Sequence, residues 1–226
     1  MISVLVPWRS DDPDRIRGWD YCRSLWRQLP VELCVADDGV ESGPFSVARA
    51  VNRAAGMATG EIFAIFGADH IIEPHRLEWI EHRLRRHPWT AVYAGTRVLT
   101  QLATDLVIRN RLHPAAAAKM SGFHRIGMCM GVIAVRRDAW IPMDERFVGW
   151  GSEDAAHRLA LATLYPDGCP DGEGDVYTMW HRDRHGTEEL TRRNYELYRE
   201  YERAAAEGRM REYLREVRSG GSGDDR

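Results

Sequence analysis

Short apolar runs alternate with amphipathic stretches along the first hundred residues. "ISVLVP" (2–7) is β-rich and ends at Pro7, which predicts a buried strand. In "DPDRIRGWDYCRSLWRQL", Ile16, Trp19, Cys22 and Trp26 recur at helical spacing, with Asp12 as cap before Pro13. "VELCVADDG" reads as a second strand, "SVARAVNRAAGMA" as a helix stopped near Gly60, and "EIFAIFGADH" as a third strand. "PHRLEWIEHRLRRH" predicts a third helix and "TAVYAGTRVL" a fourth strand. Strands and helices alternating at short intervals predict an α/β protein with a mostly parallel central sheet flanked by helices.

Residues 101–125 break the rhythm. They hold small residues without a clear period, and a short helix or a flap is expected there. "MCMGVIAVRRDAWIPM" predicts another strand and a short helix, and "DVYTMWHRDRH" is a mixed apolar and histidine run. From 187 to 218 the pattern is helical and dense in Glu and Arg, with a thin apolar stripe at Leu190, Leu197, Tyr198 and Tyr201, so a C-terminal helix is expected. The tail "SGGSGDDR" (219–226) has the composition of a disordered segment. The expected organisation is thus an α/β domain over 1–186, a C-terminal helix over 187–218 and a tail.

Composition narrows the classes. A net charge of −3 gives no global attraction to nucleic acid. The four cysteines (22, 34, 129, 169) include no C-x-x-C pair, so no disulfide framework is expected and a reducing cytoplasm is the default. No stretch approaches the length of an apolar membrane span, and the N-terminus lacks a signal-peptide pattern.

Candidate chemistry gathers where strands end, because ligands of open α/β sheets bind beyond the carboxyl ends of the strands. The first strand runs into Trp8 and Arg9, the second into Asp37 and Asp38, and the third into Asp69 and His70. Arginine suits phosphate, and Asp with His suits a divalent metal on a diphosphate. Strand-end acids also serve as turn formers and caps. Farther on, "RFVGWGSEDAAHRLAL" puts Glu153 and Asp154 behind a Gly-Trp-Gly turn at the mouth of a helix. There the dipole favours ionised acids, whether as base or as cap.

"FVGWGSED" resembles the F-x-G-W-G-x-E-D signature of the β-1,4-galactosyltransferases and related chondroitin-type synthases. "MGVIAVRRDAW" resembles the segment preceding that signature, and "MWHRDRH" the family's histidine segment. "VPWR" and "NRAAG" resemble its nucleotide-binding segments, while "VADDG" and "TGEIFAIFGADH" are similar to family-2 type glycosyltransferases. The resemblance implies the glycosyltransferase-A fold and inverting transfer from a nucleotide sugar, usually UDP-linked, with Mn2+ (or Mg2+) on the diphosphate. It assigns Asp154 as the base and Glu153 to the acceptor or its loop. It assigns Gly149, Trp150 and Gly151 to sugar binding, and Asp69 and His181 to the metal. Pro7, Trp8, Arg9, Asp37, Asp38, Asn52, Arg53, Ala68 and Asp69 fall to the donor nucleotide.

The pattern is not complete. The usual metal motif is Asp-x-Asp, and here Gly67 stands at its first acid, with His70 as a possible extra ligand. The family's methionine, three residues before its histidine, is Thr178 here, with Met179 one residue off. His181 and His185 lie at i,i+4, a spacing that also suits zinc. A non-catalytic nucleotide-sugar or glycan binding module on the same fold is the alternative that Gly67 favours. A nucleotidyltransferase would carry a glycine-rich loop and a lysine after the first strand, and "VPWRSDDPD" has neither. The acceptor classes left open are glycan, protein, small molecule and modified nucleic acid.

Overall fold

The structure is a computed structural model that describes residues 1–10, 12–121, 125–126, 131–182 and 187–220. Its strands form two sheets. In chain order the elements are β1 (Ile2–Pro7), α1 (Pro13–Trp26), β2 (Glu32–Ala36), α2 (Val47–Met57), β3 (Ile62–Ile65), β4 (His70–Ile71), α3 (His75–Leu84), β5 (Trp89–Ala91) and β6 (Gly95–Val98). There follow α4 (Gln101–Ile108), α5 (Pro114–Ser121), β7 (Arg125–Ile126), β8 (Ile133–Arg136), α6 (Glu153–Leu164), β9 (Asp175–Thr178), α7 (Glu188–Ala206) and α8 (Met210–Gly220).

The central sheet has the order β2-β1-β3-β8-β5. β1 lies between β2 and β3, parallel to both, and β8 runs antiparallel to β3 and β5. Ile2 to Val6 are all buried, as a strand covered on both faces requires. Trp19, Cys22 and Trp26 of α1 reach the core beside Val4, Val6 and Phe66. Asp12 caps α1, accepting from the N–H groups of Asp14 and Arg15, with Pro13 in its first turn.

"TAVYAGTRVL" is two strands, not one. The chain leaves the central sheet after β5 and enters the second sheet, β4-β9-β6-β7, at β6. Between them, Val92 N–H donates to Val132 O (3.0 Å) and Ala94 N–H to Gly174 O (3.0 Å), so the link is bonded first to one sheet and then to the other. The one sign of the switch in the sequence is Gly95, at which β6 begins.

Two helices, α4 and α5, occupy most of residues 101–125, where one short helix or a flap is expected. Residues 122–124 of that region, Cys129, His185 and the tail after Gly220 lie outside the described residues. The C-terminal helical stretch is also two helices, parted near Gly208, whose φ of +69° a glycine adopts without strain. Both pack on α6 through Tyr201, Ala204, Met210 and Leu214. Among the described residues no helix is long and apolar enough to cross a membrane.

Candidate active site at the sheet edge

The parallel strands carry the expected residues to one edge, and there the side chains divide. Arg9 is turned onto the loop after β2: it meets Asp38 at 2.9 Å, donates to Val40 O and to Gly43 O (2.7 Å), and stacks over Phe45. The other oxygen of buried Asp38 accepts the Ser46 N–H at 3.0 Å. Arg9 and Asp38 therefore brace the approach to α2. Asn52, expected beside the nucleotide, exchanges hydrogen bonds with the backbone of Met143 (2.8 Å each way) and donates to Glu145 (2.9 Å). Asp37 and Arg53 remain exposed and face each other at 3.5 Å. Pro7 closes β1 opposite Ala36, Trp8 packs against Trp19, and Ala68 is buried.

Asp69 and His181, 112 positions apart in the chain, meet at 3.1 Å between Oδ2 and Nε2. The cause is strand pairing. β4 runs antiparallel to β9 with His70 opposite Thr178, and Met179 N–H donates to Asp69 O at 2.9 Å. Trp180 N–H is fixed in turn by the Thr104 hydroxyl of α4 at 2.9 Å. Burial pushes the Asp69 carboxyl up, but the His181 hydrogen bond and the neighbouring imidazoles outweigh it and hold it at about 2. The same hydrogen bond raises His181. Burial lowers His70, against the pull of Asp69. His70 Nδ1 accepts the Gly67 N–H at 3.0 Å, and its Nε2 stands 4.0 Å from Asp69 Oδ1. Met179 is buried against Gly18, in the core rather than at the rim. Among the described residues no group of three or more His, Cys, Asp or Glu side chains is placed to hold a metal ion.

The acid pair lies on the neighbouring strand's side of the same edge. β8 is the antiparallel neighbour of β3, so the chain entering β8 sits where β3 ends. A β-carbon on Gly131 would stand 3.6 Å from Asp154 Oδ2. The turn before α6 is left-handed at Gly149 (φ +80°), Gly151 (+109°) and Ser152 (+70°). Ser152 does not cap the helix with its side chain. Instead Glu153 reaches back to accept the Gly151 N–H at 2.9 Å, and Asp154 accepts the Ala155 N–H at 2.7 Å. Burial, and then the Asp154 charge, raises Glu153 to about 7. Burial also raises Asp154, against the Ala155 N–H hydrogen bond and then the Arg158 charge. Trp150, at the apex, is 54% exposed.

Residues without a motif hold this turn. Gly149 N–H donates to Phe45 O (3.0 Å) and the Ser46 hydroxyl to Phe147 O (2.8 Å). From the other side, buried Asn194 of α7 donates to Val148 O (3.1 Å) and Trp150 O (3.5 Å). Asn194 falls among many polar helix residues, and its only sequence signal is a place one helical turn from the Leu190 stripe.

No protein-family model matches the chain, and no curated protein is significantly similar to it. Solved structures do match. Glucosyl-3-phosphoglycerate synthase from Mycobacterium tuberculosis in complex with phosphoglyceric acid superposes with a TM-score of 0.55 at 15% identity, over 89% of this chain and 79% of that one. Its complex with Mn2+, UDP-glucose and phosphoglyceric acid gives 0.53 at 16% identity, over 93% and 79%. At such identities the likeness shows the fold: a mixed α/β glycosyltransferase-A fold, its central sheet parallel at β2-β1-β3 and flanked by helices.

Proposed function

We propose that this chain is an inverting glycosyltransferase that moves a sugar from a nucleoside-diphosphate donor, a UDP-sugar, to an acceptor hydroxyl. The observation that carries the reading is the 3.1 Å approach of Asp69 to His181 at the edge where β3 ends, the edge at which the chain bearing Gly131, beside Asp154, enters β8. It is supported by the fold shared with a synthase whose structures hold UDP-glucose and Mn2+.

Asp154 is the base, taking the proton from the acceptor hydroxyl as its oxygen attacks the anomeric carbon. Glu153, raised to about 7, retains much of its proton at neutrality, so the two adjacent carboxyls need not both be charged. Trp150 offers an exposed indole face to the sugar ring, on a turn that Gly149 and Gly151 make possible. Asp37 and Arg53 are the exposed candidates for base and ribose, with Pro7, Trp8 and Ala68 lining the donor end. Arg9, Asp38 and Asn52 position the surrounding loops rather than bind the nucleotide directly.

Asp69 and His181 fit a divalent cation such as Mn2+ or Mg2+. Their ligand atoms stand 3.1 Å apart, close to the roughly 3.0 Å between adjacent ligands of an octahedral ion with bonds of about 2.1 Å. When bound, the cation would offset the charge that develops on the departing diphosphate.

A screen of UDP-sugars against candidate acceptors tests the reading, followed by Asp154→Asn. Transfer should fall by roughly 10²–10⁴-fold, the worth of a positioned base, while thermal stability and UDP affinity stay near wild type. A variant that is destabilised yet fully active per folded molecule would return the acids to a purely structural role.

A further inference from the structure

The space beside Gly67 is already filled. A β-carbon there would lie 2.8 Å from Asp69 Oδ1 and 3.0 Å from both Cε1 and Nε2 of His70. The His70 ring thus occupies the room in which an Asp-x-Asp pattern would hold its first carboxylate. Backbone chemistry fixes which of its nitrogens is the donor. The Gly67 N–H can only donate, and it donates to Nδ1 at 3.0 Å. The Nδ1 lone pair is therefore used, and the neutral ring carries its proton on Nε2. A protonated nitrogen has no lone pair for a cation. Moving that proton to Nδ1 would set two N–H groups against each other. Nε2–H stands 4.0 Å from Asp69 Oδ1, beyond hydrogen-bond reach, and has no acceptor among the described residues.

We propose that His70 is a recognition residue for the nucleotide diphosphate, donating from Nε2 to a diphosphate oxygen and leaving the cation to Asp69 and His181. The inference rests on the nucleotide-sugar reading of this edge and adds a consequence to it. Exchanging a carboxylate for a neutral donor removes a negative charge that would face the diphosphate. Part of the nucleotide affinity is then independent of the cation.

Calorimetric titration of UDP into the full chain, once in Mn2+ and once in EDTA, tests this beside Mn2+ binding followed by its paramagnetic resonance. His70→Asn retains an oxygen to accept the Gly67 N–H but has no donor at the Nε2 position. It should weaken UDP roughly ten- to a hundredfold, the range of a hydrogen bond to a charged group, by the same factor in both buffers. Mn2+ affinity should be unchanged, and His70→Gln, whose longer amide can donate from near Nε2, should recover most of the loss. Asp69→Asn should instead abolish the increment that Mn2+ adds. Unchanged UDP affinity in His70→Asn, or a loss confined to Mn2+ with weakened metal binding, overturns the role of His70 and leaves the nucleotide reading standing. Wild-type protein that binds no UDP even with Mn2+ overturns both.

Discussion

Glu153 holds its proton far above the ordinary carboxylate range because it is buried beside a second acid. That has a consequence for stability as well as for chemistry. In the unfolded chain the group releases its proton near 4.5, and in the folded chain near 7. Between those pH values the native state keeps a proton that the unfolded state has lost, so this group's contribution to stability falls as pH rises through the window and levels off above it. Glu153→Gln cannot ionise and can still accept the Gly151 N–H. It should stabilise the fold at pH 8 by an amount on the order of a few kcal/mol, seen as a higher melting temperature, and change stability little at pH 4. Thermal melts of both proteins across that range check it; parallel curves would mean that Glu153 ionises normally.

At the scale of elements, the Gly-Trp-Gly turn is held by backbone conformation and by α7. Gly149 and Gly151 both have positive φ, but their surroundings differ: a β-carbon on Gly149 would come within 3.2 Å of Leu190 Cδ1, while nothing lies within 4 Å of one on Gly151. Each change to alanine should destabilise by about 1–3 kcal/mol through backbone strain. Leu190→Ala should lessen the penalty of Gly149→Ala and leave that of Gly151→Ala unaltered, which denaturant unfolding of the single and double variants measures. The turn itself was legible in the sequence, because its glycines and acids adjoin. Its supports were not. Phe45, Ser46 and Asn194 act through main-chain atoms of residues a hundred positions or more than forty away, and such contacts leave no local pattern. β5 and β6 read as one strand because only Gly95 interrupts the β-rich run between them. Strand ends, by contrast, pointed to Asp69 because a parallel sheet gathers its carboxyl ends on one side. Arg9 was read from its strand end and from resemblance, and Asn52 from resemblance, and neither signal says whether a donor faces a ligand or the protein's own backbone.

Over the whole molecule, the C-terminal helices join the site through a buried charge. The Asp144 side chain is almost wholly enclosed, pairs with Arg146 at 2.7 Å and accepts from the Tyr201 hydroxyl at 3.3 Å. Arg146 continues to Tyr213 (2.6 Å) and Glu200 (3.4 Å), so α7 and α8 are tied to the segment that leads into the Gly-Trp-Gly turn. Arg146→Ala leaves Asp144 enclosed without its cation and should cost about 1–3 kcal/mol, whereas Asp144 and Arg146 replaced together by apolar residues of similar size should cost less. Equilibrium unfolding of the two variants is the check, and equal losses would show that the pair contributes packing rather than charge balance.

Gly67 and His70 share one volume, and that bears on how distant sequences are aligned to this one. A side chain at 67 meets the imidazole, and a small residue at 70 leaves the Gly67 N–H without its acceptor. Each position is constrained by the occupant of the other, so single steps away from the pair are penalised and a joint step is not. Scored column by column, the glycine looks like a decayed motif. Scored as a two-letter word, Gly with His is one steric unit, and chains that carry both belong together in a comparison even where neither letter alone would group them.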